Sequence, residues 1–411
     1  MIKYLKQYRF FLCLILISSY SFSETIVIKP SEDSYTEIQE ALIFANSGDI
    51  IHLSEGLYEF EDSLSIDVDG VTLQGDGMKK TILSFKEQQS GAQGLSVTSD
   101  NVRLIDFAVE DAKGDAIKVK GVNGISFIRI RTEWTNGPDE SNGAYGLYPV
   151  ESKNVLIDSC VAIGASDAGI YVGQSENIIV KNSRAEFNVA GIEIENSYYA
   201  DVFDNHAENN TGGILVFDLP DIPQQGGHHV RVFRNKSINN NTDNFAPEGN
   251  IVGEVPRGTG IVIQASSNVE IFDNDIGGND TINIAVVTYP YETEDENYNP
   301  HPRAIQIHNN RFTKSGNNPD VETGDLAKFL YEISNQNMPD IFWDGIVPFK
   351  QMVFGQPESE KIILGDNGSA SFLTINPIKY ILPFIDPVER DYEKYKAKIT
   401  PLPPVVFDES I

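Results

Sequence analysis

Two cysteines are all that the 411 residues hold, and one of them, Cys13, sits in an N-terminal apolar run. Cys160 is thereby left without a partner for an intramolecular disulfide, so the fold must be held by its own core and hydrogen bonds. A lone thiol beside a strand is read as a small buried side chain. Long apolar stretches are missing as well: after the N-terminal run nothing approaches the roughly 18 apolar residues that a membrane span needs. Basic residues are scarce, with 31 Lys and Arg against 60 Asp and Glu and a formal charge of −29. Nucleic acid and anionic lipid are poor partners for such a surface. A polyanionic glycan would be repelled too, unless cations or a local basic patch intervened.

The N-terminal run has the layout of an export signal. Lys3, Lys6 and Arg9 precede an apolar segment from Phe10 to Ile17, and Ser21-Phe22-Ser23 places small residues where a signal peptidase reads them. Residues 1–23 are expected to be removed before Glu24, which leaves 28 basic residues against 60 acidic ones and a charge of −32. Cys13 lacks the small residues of a lipoprotein site, so no lipid anchor is expected. The mature chain is expected in the periplasm or outside the cell.

What the chain does have is a repeat. Ala168-Gly169-Ile170-Tyr171-Val172, Ala190-Gly191-Ile192-Glu193-Ile194 and Gly212-Gly213-Ile214-Leu215-Val216 recur about every 22 residues. In phase with them, an alternating branched pattern ends in asparagine at Asn182, Asn205, Asn235, Asn274 and Asn309. Two strands and their turns within 20 to 25 residues leave no room for a helix, and the recurrent leucines of a leucine-rich repeat are absent. The pattern predicts an all-β solenoid, a right-handed parallel β-helix whose coils hydrogen-bond to those above and below. The recurring asparagine is expected to stack along the axis.

Ahead of the repeat, Ser34-Tyr35-Thr36-Glu37 has capping-box spacing and Ile38, Ala41, Leu42 and Ala45 form one apolar stripe. A short helix there would plug the open end of the coil. The solenoid is expected over 24–312, in a dozen coils or fewer. Residues 313–411 lack the period and are expected to cap the last coil or fold back along one face.

Residues 24–312 resemble the right-handed parallel β-helix proteins of the pectate-lyase-like superfold, and within it a bacterial group with carbohydrate-binding and sugar-hydrolase-type repeats. The likeness rests on Ile38-Gln39-Glu40-Ala41-Leu42, Gly48-Asp49-Ile50-Ile51 and Val71-Thr72-Leu73-Gln74-Gly75-Asp76-Gly77; the run from Asn210 to Asp218 is similar to an exported subfamily of β-helix repeat proteins. The resemblance implies a fold more than a reaction. Of the polygalacturonase motifs only Asn241-Thr242-Asp243 occurs. In place of the Asp-Pro-His-Asp of alginate epimerases the chain has Asn299-Pro300-His301-Pro302.

Strand alternation places Lys118, Tyr148, Tyr171, Glu193 and Leu215 in one outward column, with Lys120, Glu195 and Phe217 beside it. Extra residues enter at Glu133–Ala144 and Asn239–Gly258 before the glycine-led strand, and at Asp218–His229 and Tyr289–Arg303 after it. Loops on both sides of one strand are expected to wall a groove. Within it Glu193 and Glu195, with Cα atoms about 6.5 to 7 Å apart, would suit paired carboxylates for glycosidic chemistry. His229 would serve as a base or a metal ligand. Arg257 would neutralise a uronate. Lys118, Tyr148, Tyr171, Phe217 and Trp134 are the candidates for contact with sugar.

No cofactor is evident, although the acidic stretches at Glu292–Glu296 and at Glu110, Asp111 and Asp115 could hold calcium without the spacing of a known calcium loop. Two readings follow: an exported carbohydrate-active enzyme (a polysaccharide lyase, epimerase or hydrolase), or a non-catalytic envelope protein that binds a cell-envelope glycan or another exported protein.

Overall fold

The computed structural model describes residues 23–380 and 384–407, so the expected export signal lies almost wholly outside the described residues. The chain winds into a parallel β-helix of three sheets with 12, 12 and 10 strands. One full coil runs through Ala168–Gly173 in the second sheet, Glu176–Lys181 in the first and Arg184–Glu186 in the third, then steps up to Ala190–Glu195. The pairings are parallel except the last, where Val388–Glu389 closes the second sheet antiparallel to Phe372–Ile375. At the other end α1 (Ser34–Phe44) buries Ile38 and Leu42 completely over the first coil. The plug is as expected but its cap is not: the Ser34 hydroxyl turns back to donate to the Ser31 carbonyl at 2.8 Å, and no side chain caps the helix.

Inward positions carry branched aliphatics, stacked in register as Leu147, Ile170, Ile192, Ile214 and Ile261, all with no exposure. In the central coils a two-residue turn separates the first-sheet strand from the third-sheet strand, and its first residue takes a positive φ, as at Asn182 (52°), Asp204 (56°), Arg234 (53°) and Asn309 (54°). The stacking asparagine is the residue after it. Asn205, Asn235, Asn274, Asn310 and Asn367 form the buried ladder, each side-chain Oδ1 accepting the backbone N–H of the coil below at 2.9 to 3.1 Å. Asn182 and Asn309 therefore stand one residue short of the ladder; Ser183, not Asn182, continues it, accepting from the Cys160 N–H at 3.0 Å. Cys160 itself lies fully buried, and burial pushes its thiol up to about 12.

A second ladder lies at the opposite corner, through Asn188, Asn210, Asn240 and Asn279. It explains the glycine-led strands. A Cβ on Gly169 would come within 2.6 Å of the Asn188 amide, and one on Gly191 within 2.8 Å of the Asn210 amide and 2.6 Å of the Gly213 carbonyl. Glycine is there to let the backbone approach a buried amide, not to make a turn.

The coil also continues beyond the expected boundary at Phe312. Ile341–Trp343, Ile363–Leu364 and Phe372–Ile375 extend two of the sheets in parallel register. The segments between them, including α2 (Asp325–Ile333), are long enough to hide the period. Beyond Lys396, which still bridges Leu364 in parallel, the chain runs as a strap across the outer face of the first sheet. Thr400 exchanges two 2.8 Å bonds with Gln306, the Leu402 N–H donates to Glu270 at 2.9 Å and the Val405 N–H to Asp201 at 3.2 Å. With Pro401, Pro403 and Pro404 favouring an extended chain of about 3.1 Å per residue, Leu402 to Val405 spans roughly the two coil steps of 4.8 Å that separate Glu270 from Asp201.

Replacing Asn210 by Ala should leave the Asn188 N–H without its partner inside the coil, lowering unfolding free energy by about 1–3 kcal/mol. Gly191→Ala should cost a similar amount through overpacking. An unchanged denaturation midpoint in both variants would remove the ladder from this account.

Candidate functional site

The outward column is in the expected register: Lys118 pairs Tyr148, Tyr171 pairs Glu193, and Glu193 pairs Leu215, while Glu195 stands beside Phe217. The open groove is not there. Tyr171, Glu193, Leu215 and Phe217 are buried, because the insertion at 239–258 does not stand up as a wall but folds down over the strand face. Its Val252 and Val255, with Phe245 and Ala246, join Ala168, Ala190 and Leu215 in a second apolar cluster outside the coil. Farther along, α2 supplies Leu330 to the same cluster.

Beneath the leading edge of this cover lies a group of carboxyls. Asp167 immediately precedes one strand and Glu193 and Glu195 stand on the next, 8 %, 2 % and 9 % exposed respectively. The Asp167 Oδ2 receives the Tyr145 hydroxyl at 3.3 Å and the Asn250 amide of the cover at 3.3 Å. Glu195 Oε1 receives the Tyr171 hydroxyl at 2.8 Å. Glu193 Oε2 is sealed from solvent with no hydrogen-bond partner. Burial, then the charge of Glu195, pushes Asp167 up to about 7. Burial, then the charge of Asp218, does the same to Glu195 against the Tyr171 hydrogen bond that holds it down. Glu193, buried between Asp167 and Glu195, is raised well above the usual carboxylate range.

Three tyrosines pack around these groups. The rings of Tyr145 and Tyr148 are 4.4 Å apart, those of Tyr145 and Tyr171 4.6 Å, and those of Tyr148 and Tyr171 5.0 Å. Lys118 lies over the Tyr148 ring at 4.7 Å and 3.6 Å from Asp115. Burial raises the Tyr148 hydroxyl to about 12. Neutral phenols next to half-ionised carboxyls can donate hydrogen bonds without competing for the proton.

The other expected site residues go elsewhere. His229 lies on a different sheet, its Nδ1 2.9 Å from that of His228 and its ring against Tyr199. Arg257 faces Asp243 at 3.4 Å, Asp280 at 3.9 Å and the Asn318 carbonyl at 3.4 Å, beside a cavity of about 710 Å³ between the cover and residues 318–324. Trp134 is inside the coil, its Nε1 donating to the Ala112 carbonyl at 2.7 Å, and is a core residue rather than a sugar platform. Of the carboxylates considered for calcium, Glu110 is engaged by Arg131, Asp111 by Thr135 and Asp115 by Lys118. Among the described residues no three His, Cys, Asp or Glu side chains are grouped to hold a metal.

Asp167, Tyr145 and Asn250 were not foreseen. A signal for the first two exists: Asp167 stands where the neighbouring coils carry Val189 and Thr211, and Tyr145 where they carry Ala168, Ala190 and Gly212. Asn250 has none, because its position follows from how a long loop folds.

The family described as right handed beta helix region matches residues 69–221. No curated protein matches the chain. Among solved structures it is similar to the A-module of the mannuronan C-5 epimerase AlgE4 of Azotobacter vinelandii, at 15% identity over 86% of this chain and 88% of that one, with a TM-score of 0.58. It is also similar to an N-terminal fragment of gene product 12 of bacteriophage phi29, at 12% identity over 83% of this chain and 60% of that one, with a TM-score of 0.50. At these identities the likeness is one of fold.

The raised carboxyls have a measurable signature. Asp167 and Glu195 titrate near pH 7 in the folded chain and near about 4 in an unfolded one. The folded state thus binds more protons between those limits, and stability should fall as pH rises through that window and level off above it. Glu195→Gln should therefore melt higher than the parent at pH 8, by a free energy on the order of 1–3 kcal/mol, and much like it at pH 4. An equal difference at both pH values would show that Glu195 is not raised.

Proposed function

We propose that this right-handed parallel β-helix of the pectate-lyase-like kind is an exported carbohydrate-active enzyme that hydrolyses an uncharged glycan at the Asp167–Glu193–Glu195 cluster. The observation that carries the reading is the group of buried carboxyls with proton affinities near neutrality, one of them with an oxygen that nothing satisfies. Structure alone gives no reason to bury three acids together, and perturbed carboxyls beside one another are the equipment of acid–base catalysis. The similar epimerase is, by its name, an enzyme of the glycan mannuronan. Its substrate class is not carried over, because Asp115, Asp218 and the ionised member of the Asp167–Glu195 pair stand around the site with Lys118 as the nearby cation. A uronate would meet that field unfavourably.

At neutral pH one of Asp167 and Glu195 is protonated and the other ionised in much of the population. The protonated carboxyl gives its proton to the glycosidic oxygen as the bond to the anomeric carbon breaks. The ionised one takes a proton from the water whose oxygen bonds to that carbon. Tyr145 and Tyr171 steady whichever oxygens carry charge. Burial raises Glu193 as well, which works against a second negative charge beside them.

Asp167→Asn and Glu195→Gln should each lower turnover of a neutral polysaccharide by about 10²-fold or more while keeping the parent's circular dichroism. The measurement is release of reducing ends from a panel of neutral glycans between pH 5 and 9, where a bell centred near 7 is expected. Parent-like rates in both variants, or glycan binding by the parent with no release anywhere on the panel, would turn the assignment to the non-catalytic binding protein.

A further inference from the structure

The cap of a free solenoid end is apolar toward the coil and polar outside. Both caps of this solenoid carry apolar residues on their outer side as well. At the first coil α1 turns Ile38 and Leu42 inward, while Ile43 and Phe44 on the same helix are 56 % and 78 % exposed. At the other end the first two sheets stop at Ile363–Leu364 and Val388–Glu389. There a short helix, α3 (Phe349–Phe354), packs Met352 against the core cluster of the coil, with Tyr392 and Tyr395 alongside. Its Phe349, Val353 and Phe354 are 80 %, 53 % and 82 % exposed. A cavity of about 270 Å³ lies between α3 and residues 376–378, with Trp343, Val347, Met352 and Tyr395 in its wall. It has room for one aromatic side chain.

The two ends differ in charge. Over residues 24–59 a single basic residue, Lys29, stands against eight acidic ones, and Glu37 and Glu40 are exposed on α1 near the apolar pair. Over residues 349–396 six basic residues nearly balance seven acidic ones, and Lys350 is exposed on α3.

We propose that the protein associates with further copies of itself end to end, the α1 face of one molecule seating on the α3 face of the next. Phe44, the more exposed of the α1 pair, enters the cavity beside α3 as an anchor, and Ile43 meets the ring of apolar side chains around it. Glu37 and Glu40 come over the face that carries Lys350. Two α1 faces set against each other would instead oppose acid to acid. Because unlike faces meet, the contact is heterologous: each pair keeps one free face of either kind, and further copies can add along the solenoid axis. The contact involves none of the carboxyl cluster, so it stands whether or not that cluster is catalytic.

The test is sedimentation of the mature protein across micromolar to near-millimolar concentrations, where the parent should pass from monomer through dimer to longer species. Phe44→Glu, and separately Phe349→Glu combined with Phe354→Glu, should each raise the apparent dissociation constant by about 10-fold or more. Their circular dichroism should match the parent's, since all three side chains are exposed. Lys350→Glu, which removes no apolar contact, should weaken association in the same direction. The deciding sample mixes the Phe44 variant with the α3 double variant: each alone lacks one face, so the mixture should give dimers and nothing longer. A parent that stays monomeric over the whole range overturns the proposal, and so does a mixture that forms no dimer. Dimerisation of either variant alone, as tight as the parent's, would reveal a two-fold contact between like faces and overturn it too. A monomeric parent that sediments with phosphatidylcholine vesicles through Phe349 and Phe354 would make the α3 face a lipid-binding surface instead.

Discussion

Register between coils is the constraint on which everything else in this molecule depends. Each strand gives its N–H and C=O groups to the coils on either side, and each inward position must stack on its equivalent one step away. A residue added inside a strand would shift every later side chain to the wrong face. Variation is therefore confined to the turns, and all four long insertions leave between strands. The two asparagine ladders enforce the same register at the corners, where the chain bends and strand pairing lapses. There a side-chain amide both accepts a backbone N–H and donates to a carbonyl, so the polar groups at a buried corner are satisfied without water.

This constraint also decides how much of the structure can be read from the sequence. Ile170, Ile192 and Ile214 announce the coil because stacking allows so few alternatives, and the outward register of Lys118, Tyr148, Tyr171 and Glu193 follows from the same alternation. Asn182 misleads by one position: both the positive-φ residue and the one behind it favour asparagine, for different reasons, one local and one from the neighbouring coil. The strands at 341–343 and 363–364 escape notice because segments of irregular length separate them. The fate of the insertion at 239–258 was not legible at all. Val252 and Val255, like Phe245, Ala246 and Ile251, are scattered apolar residues in a largely polar loop, and only the small residues Ala168, Ala190 and Gly212 on another part of the chain make a place for the two valines.

That closed face gives the carboxyls their character. In water Asp167 and Glu195 would be ordinary acids; under the cover, ionising one of them works against both burial and the charge of a neighbour. A rigid scaffold is needed to hold such groups together, since a looser one would let them part and hydrate. Parallel stacking supplies that rigidity cheaply, because the hydrogen bonds that build the coil do not involve the outward side chains. The outer face can be strained for chemistry while the interior stays a plain column of isoleucine and valine.

The strap across the first sheet bears on how the molecule comes to be finished. Coils resting on α1 can stack one upon another as the chain lengthens, each needing only its predecessor, so the solenoid can grow from its plugged end. The strap is different in kind: Thr400 and Val405 bind residues 94 and 204 positions earlier, among the most distant contacts in the chain and the slowest to close. It cannot form until the coils at Asp201, Glu270 and Gln306 already stand in line, and it then ties three separate coils to one another. A chain broken off before Lys396 would hold every coil that carries the carboxyl cluster and yet lack this tie. The strap therefore distinguishes a completed molecule from one that is merely coiled.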